Sequence, residues 1–244
     1  MGVKHISIEN NSFVGYIFDL SQCVHLELLG GKDIKHEPDK IYVYNVDFRI
    51  NNLFNLVIGL SEVYTLLKYN TFPIKNSNGS IPRGKWLYIV WEIFLTRVSS
   101  VRDCIFFLIC DIYEIEYNNV FEVNRKFLYN NPLIDSKIKK SINDIANIAK
   151  EIRDERNEMI HQGMKRSMYD AMFYTISCFE TMDIQVDAPC NYIEEYNDII
   201  IKLEYIIDKT YTQVEQELNK ILNYLYQVFL KTFRKKRGYT RSKE

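Results

Sequence analysis

Glycine and proline are scarce in this chain, 9 and 5 among 244 residues. Sandwiches and barrels need a turn about every 8–12 residues, and such turns draw heavily on both residue types, so an all-β architecture is excluded. The five cysteines, Cys23, Cys104, Cys110, Cys178 and Cys190, are odd in number and contain no C-x-x-C pair. Neither a disulfide framework nor a zinc site is encoded. A glycine-rich phosphate loop, H-E-x-x-H and G-x-S-x-G are missing as well, which removes support for P-loop NTPases, dinucleotide enzymes, zincins and α/β-hydrolases. The opening MGVKHISIENN has no apolar leader run, and Ile6 stands where a myristoylation signal requires Ser or Thr. The most apolar stretch, 86–115, is broken by Glu92, Arg97, Arg102 and Asp103 and is not expected to span a bilayer. A cytoplasmic chain without membrane attachment is the expectation.

What is present is an ordinary globular composition, 47% hydrophobic and 26% charged, enough to bury a sizeable core in one large domain. Charge is unevenly spread. Residues 231–244 carry Lys231, Arg234, Lys235, Lys236, Arg237, Arg241 and Lys243 against Glu244, a net +6, leaving −7 for residues 1–230 of a chain whose total is −1. An acidic body therefore ends in a basic segment, read either as a frayed, solvated tail or as a handle for a polyanion.

Apolar spacing sets the fold class. Residues 1–48 hold short β-branched and aromatic runs (FVGYIF, CVHLELL, IYVYNVDF) between Gly30-Gly31 and Pro38-Asp39, and read as an extended or β-containing appendage. From about Arg49, Leu53, Leu56, Val57, Leu60, Val63, Tyr64 and Leu67 make one helical face that ends near Pro73. A second helix is predicted from Pro82 to about Ile115, about 45–50 Å long. A short piece at 119–130 precedes Asn130-Asn131-Pro132. A third long helix opens at Asp135 or Ser136 and stops at Gly163, a fourth follows a capping box at Ser167–Asp170, and the last covers roughly 191–231. The expectation is an all-α antiparallel helical bundle over 49–231, flanked by the 1–48 appendage and a basic tail at 232–244.

Few side chains suggest chemistry. Glu194 and Glu195 are adjacent, so a helix points them about 100° apart and they suit a solvated face better than an acid/base dyad. His5, His25 and His36 lack partner ligands at metal spacing. His161 differs: it closes the dense charged run RDERNEMIHQG, 153–163, at a predicted helix C-terminus, where the macrodipole favours the imidazolium. Arg153, Asn157 and His161 are spaced by four and four and share one stripe, with Asn157 able to orient the ring. Arg156 lies five residues before His161, about 140° around the wheel. Arg97 and Arg102 interrupt the apolar second helix and suit either ion pairs with acids of 151–158 or contact with a substrate phosphate.

The run Arg156-Asn157-Glu158-Met159-Ile160-His161 resembles the signature of the HEPN superfamily (higher eukaryotes and prokaryotes nucleotide-binding domains): Arg, four to six residues beginning with a polar one, then His. The resemblance covers about 80–220. It implies a helical bundle that dimerises, and a metal-independent endoribonuclease without cofactor in which Arg156 and His161 are catalytic and Asn157 fills the polar slot. Arg153, Arg97 and Arg102 become candidate substrate contacts. RNA, a second copy of the chain and an antitoxin or regulatory protein become candidate partners. Cleavage through the 2′-hydroxyl needs a base, an acid and positive charge on the phosphorane; an imidazole and a guanidinium from each of two chains suffice. Two other readings stand beside it: a non-catalytic module binding RNA, nucleotide or protein, and a purely structural bundle in which Arg156 pairs with a carboxylate.

Overall fold

The computed structural model describes residues 7–69, 71, 74–76, 79–161, 168–182 and 192–241; for 74–76, 79, 149, 151, 153, 155–161, 168–170, 181–182, 192–193, 195 and 239–241 the description is of the backbone alone. Of the described residues 83% are helical, which settles the all-α class. Seven α-helices are present among the described residues: α1 Ser12–Leu29, α2 Pro38–Leu67, α3 Arg83–Tyr113, α4 Arg125–Asn130, α5 Ser136–His161, α6 Met168–Met182 and α7 Tyr192–Arg241. Strands β1, Ile74–Asn76, and β2, Gly79–Ile81, form one antiparallel hairpin with Ile74 opposite Ile81. It occupies the break predicted around 73–80.

The extended or β reading of 1–48 is corrected. Asn11 caps α1 by accepting from the Phe13 amide at 3.0 Å, and Phe13, Val14, Ile17, Ser21 and Val24 turn inward at helical spacing. Pro38, taken as a separator, occupies the first turn of α2, where its missing N–H has no cost. The buried stripe Tyr42, Val43, Val46, Ile50 and Leu53 then runs without interruption across positions 48 and 49. Packing of this stripe outweighs the modest helix propensity of its β-branched and aromatic residues. The frayed-tail reading is corrected too: α7 continues to Arg241, with Phe233 buried against Phe229, ring centroids 5.6 Å apart.

Helix α2 is also the one described helix long and apolar enough to cross a membrane, with a mean hydropathy of 1.2 over its best window. Half of that window is buried within the fold, as in the core helix of a soluble protein.

The chain divides into two compact units, one of 1–5, 58–99 and 149–212, the other of 6–57, 100–148 and 213–244. Helices α2 and α5 run from the second unit into the first, and α3 and α7 run the other way. In the first unit Trp91 stacks on Phe94 at 5.1 Å, Trp86 donates to the Leu66 carbonyl at 3.0 Å, and the start of α3 lies so close to α6 that Gly84 leaves no room for a Cβ beside Phe173 and Ser177. In the second, Phe229 gathers Phe13, Tyr42 and Phe233, and the Tyr42 hydroxyl donates to the Ile112 carbonyl at 2.8 Å.

Helix α3 ends in a left-handed turn. The Ile115 amide reaches the Cys110 carbonyl at 2.9 Å and the Glu114 amide the Asp111 carbonyl at 3.4 Å, which puts Glu114 at φ +52°, a position that glycine usually takes.

Candidate functional site

Helix α5 begins where the sequence places it. The Asp135 carboxylate accepts from the amides of Lys137 at 2.9 Å and Ile138 at 3.0 Å, satisfying two donors of the first turn. Ile138, Ser141, Ile142, Ile145 and Ile152 form its buried stripe. The helix stays regular through His161, so Arg153, Arg156, Asn157 and His161 all occupy its last turns; Gly163, the predicted stop, and Ser167 of the predicted capping box lie outside the described residues.

Helical register relates these positions without reference to their side chains. At about 100° per residue, position 156 falls about 40° from Ile152 and at the same angle as Ile138, within the arc of the buried stripe, whereas 157 and 161 fall about 140° and 180° from Ile152. The stripe of 153, 157 and 161 is thus a backbone fact, and positions 156 and 161 remain well separated around one helix. Local unwinding before His161 is not observed.

The two candidate arginines of α3 part company. Arg97 belongs to the same unit as the 149–161 segment, and its guanidinium lies against Gly59, where an added Cβ would stand 2.9 Å from its Cζ. Arg102 belongs to the other unit. It donates through Nε at 2.8 Å and a terminal nitrogen at 2.6 Å to one oxygen of its sequence neighbour Asp103. That local pairing is the partner found for Arg102 among the described side chains; Glu151, Glu155 and Glu158 of the 151–158 segment lie outside them.

Polar centres absent from the sequence reading are also present. Arg83 donates to Glu180 through its backbone amide and its guanidinium, each at 2.6 Å, with Cζ 5.8 Å from the Tyr196 ring centroid. Arg49 bonds Asp111 through Nε at 2.7 Å and the Tyr117 hydroxyl at 3.3 Å, and lies over the Phe107 ring. Burial pushes the Asp111 carboxyl upward despite this guanidinium. His25 Nε2 approaches the buried Asp47 carboxylate at 3.3 Å. The spacing 25/47 or 49/111 crosses helix pairs, so nothing local in the sequence signals either contact. Cys104 and Cys110 are buried, free thiols pushed up to about 11 and about 12 by desolvation, and at neutral pH they stay protonated and poor as nucleophiles. Among the described residues no group of three His, Cys, Asp or Glu side chains is arranged to hold a metal ion.

No family model matches this chain, and neither a curated protein nor a solved structure matches it.

Proposed function

We propose that the chain is a metal-independent endoribonuclease of the HEPN type, acting as a homodimer in the cytoplasm. The observation that carries the reading is the Arg156-Asn157…His161 run at the C-terminal end of a long, capped amphipathic helix in an all-α protein. His161 takes the proton of the 2′-hydroxyl, and the oxygen attacks the adjacent phosphorus. Arg156 neutralises the phosphorane with its planar fork. The 5′-oxygen leaves with a proton from the second imidazole across the two-fold axis. Products carry 2′,3′-cyclic phosphate and 5′-hydroxyl ends. Asn157, one turn from His161, orients the ring, and Arg153 and Arg97 extend the phosphate contact. The roughly 140° between positions 156 and 161 on one helix is itself a reason to draw the partner residues from a second chain. An antitoxin or regulatory protein would then act by covering that cleft.

A second reading takes the register literally. By register position 156 falls within the arc of the buried stripe, at the angle of Ile138, which suits an arginine serving the fold, and the protein is then a non-catalytic module for RNA, nucleotide or a protein partner.

Labelled structured RNA incubated with the purified protein in EDTA decides between them. Cleavage leaving cyclic phosphate is expected, with a loss of roughly 10²-fold or more in His161→Ala and Arg156→Ala, continued impairment in Arg156→Lys, and a smaller loss in Asn157→Ala. Light scattering should report a dimer. Activity abolished by EDTA and restored by Mg²⁺ would overturn the mechanism. Unfolding of Arg156→Ala alongside intact cleavage by His161→Ala would favour the module.

A further inference from the structure

Beyond the helix-end motif, the molecule's most concentrated charge lies on the last described turns of α7. Lys231, Arg234, Lys235 and Arg237 are all exposed there. At about 100° per residue the first three span an arc of about 100°, centred opposite the buried Phe229 and Phe233. Residues 218–243 contain no Asp or Glu. Among the described residues no carboxylate lies within ion-pair distance of these four cations; Lys236, on the inner flank, is instead held by Glu114 at 2.6 Å and lies over the Tyr42 ring. Phe233 and Lys236 therefore fix the helix while the outer cations meet no carboxylate among the described residues. The strip covers about 9 Å of helix.

We infer that this strip docks the phosphate backbone of single-stranded RNA. The identity of the polyanion as RNA rests on the function proposed above; the surface itself rests on its charge and exposure. Residues 1–230 carry a net −7, so the rest of the chain repels a polyanion and the strip concentrates its attraction. A bilayer fits the strip poorly. An interfacial helix inserts an exposed apolar face, and here the apolar face of the helix is spent on the core, with no large hydrophobic residue exposed between 218 and 238. Lysine and arginine at helical spacing with no acids between them suit sequence-independent contact with phosphates.

The probe is a fluorescently labelled 2′-O-methyl oligouridylate, which cannot be cleaved through the 2′-hydroxyl, titrated by anisotropy at several salt concentrations. For Lys231→Gln/Arg234→Gln/Lys235→Gln the slope of log K against log salt should fall by about 2, since each phosphate contact to a single strand contributes about 0.7. Lys126→Gln/Lys137→Gln/Lys140→Gln removes the same charge from other exposed positions and should leave the slope unchanged. Equal flattening by both triples, or by neither, overturns the strip. So does binding of phosphatidylserine vesicles that the first triple abolishes while RNA binding persists. The two proposals fail separately: a flattened slope without cleavage of ordinary RNA keeps the strip and removes the nuclease, and cleavage with an unchanged slope does the reverse.

Discussion

Gly84→Ala should destabilise the protein by about 1–3 kcal/mol, the usual range for overpacking a closed contact. A Cβ at this position overlaps the carbonyl oxygen of Phe173 and stands 2.5 Å from Ser177 Oγ and 2.7 Å from Ser177 N. Ordinary contacts begin near 3.4 Å, so clearing Ser177 N alone takes 0.7 Å and clearing the nearer Phe173 oxygen takes more, and neither backbone atom can rotate aside. The helix-propensity gain of alanine, at most about 1 kcal/mol, does not offset this. Two other glycines are references. Gly15 has nothing within 4 Å of its added Cβ, so Gly15→Ala should stabilise α1 by up to about 1 kcal/mol. At Gly59 the obstacle is the tip of Arg97, which can swing away, and Gly59→Ala should be close to neutral. In thermal melts a change of 1 kcal/mol shifts the midpoint of a chain this size by about 2–4 °C, so Gly84→Ala should melt some 2–12 °C low. A Gly84→Ala protein melting at or above wild type refutes the close approach of α3 to α6.

Two further outcomes test local electrostatics and backbone strain. Glu27 and Glu37 are held below their ordinary 4.5, foremost by hydrogen bonding to Lys40, at 2.6 and 2.5 Å, with Lys32 also bridging them. A depressed carboxyl contributes stability above its unfolded value that is lost as pH falls through the folded one; hence Glu27→Gln/Glu37→Gln should lower the urea midpoint at neutral pH, and the gap from wild type should close in acid. A pH-independent gap refutes the network. Glu114→Gly should raise stability by up to about 1 kcal/mol, because relief of the left-handed backbone exceeds a half-exposed pair with Lys236; a loss greater than about 1 kcal/mol contradicts this.

The helices from 49 onward were legible because their apolar residues recur every three to four positions, and the Asp135 cap could be named in advance. The same period was present upstream, at Phe13, Ile17, Ser21 and Val24 and at Tyr42, Val46, Ile50 and Leu53, but β-branched and aromatic runs beside Gly30-Gly31 and Pro38 carry the local marks of strands. Periodicity there was the better guide than residue type, since burial decides and propensity is worth only a few tenths of a kcal/mol per residue. For the candidate site, the shared stripe of 153, 157 and 161 follows from spacing alone. The division of Arg97 from Arg102 did not: five residues apart on one helix, they enter different units, which only the tertiary contacts of α3 determine.

The Asn11 amide donates to the side chains of Asn219 at 3.0 Å and Asn223 at 3.2 Å, and Phe13 stacks on Tyr226 at 5.5 Å. These contacts join residues more than 200 positions apart. A ribosome adding about 5–20 residues per second needs roughly 10–40 s to travel that distance. Throughout that interval the apolar stripe of α1 exists without the partners that later cover it. Closure of the second unit is therefore necessarily late in synthesis, and a nascent chain stalled before residue 219 would display Phe13, Val14 and Ile17 as a surface for chaperones or for aggregation.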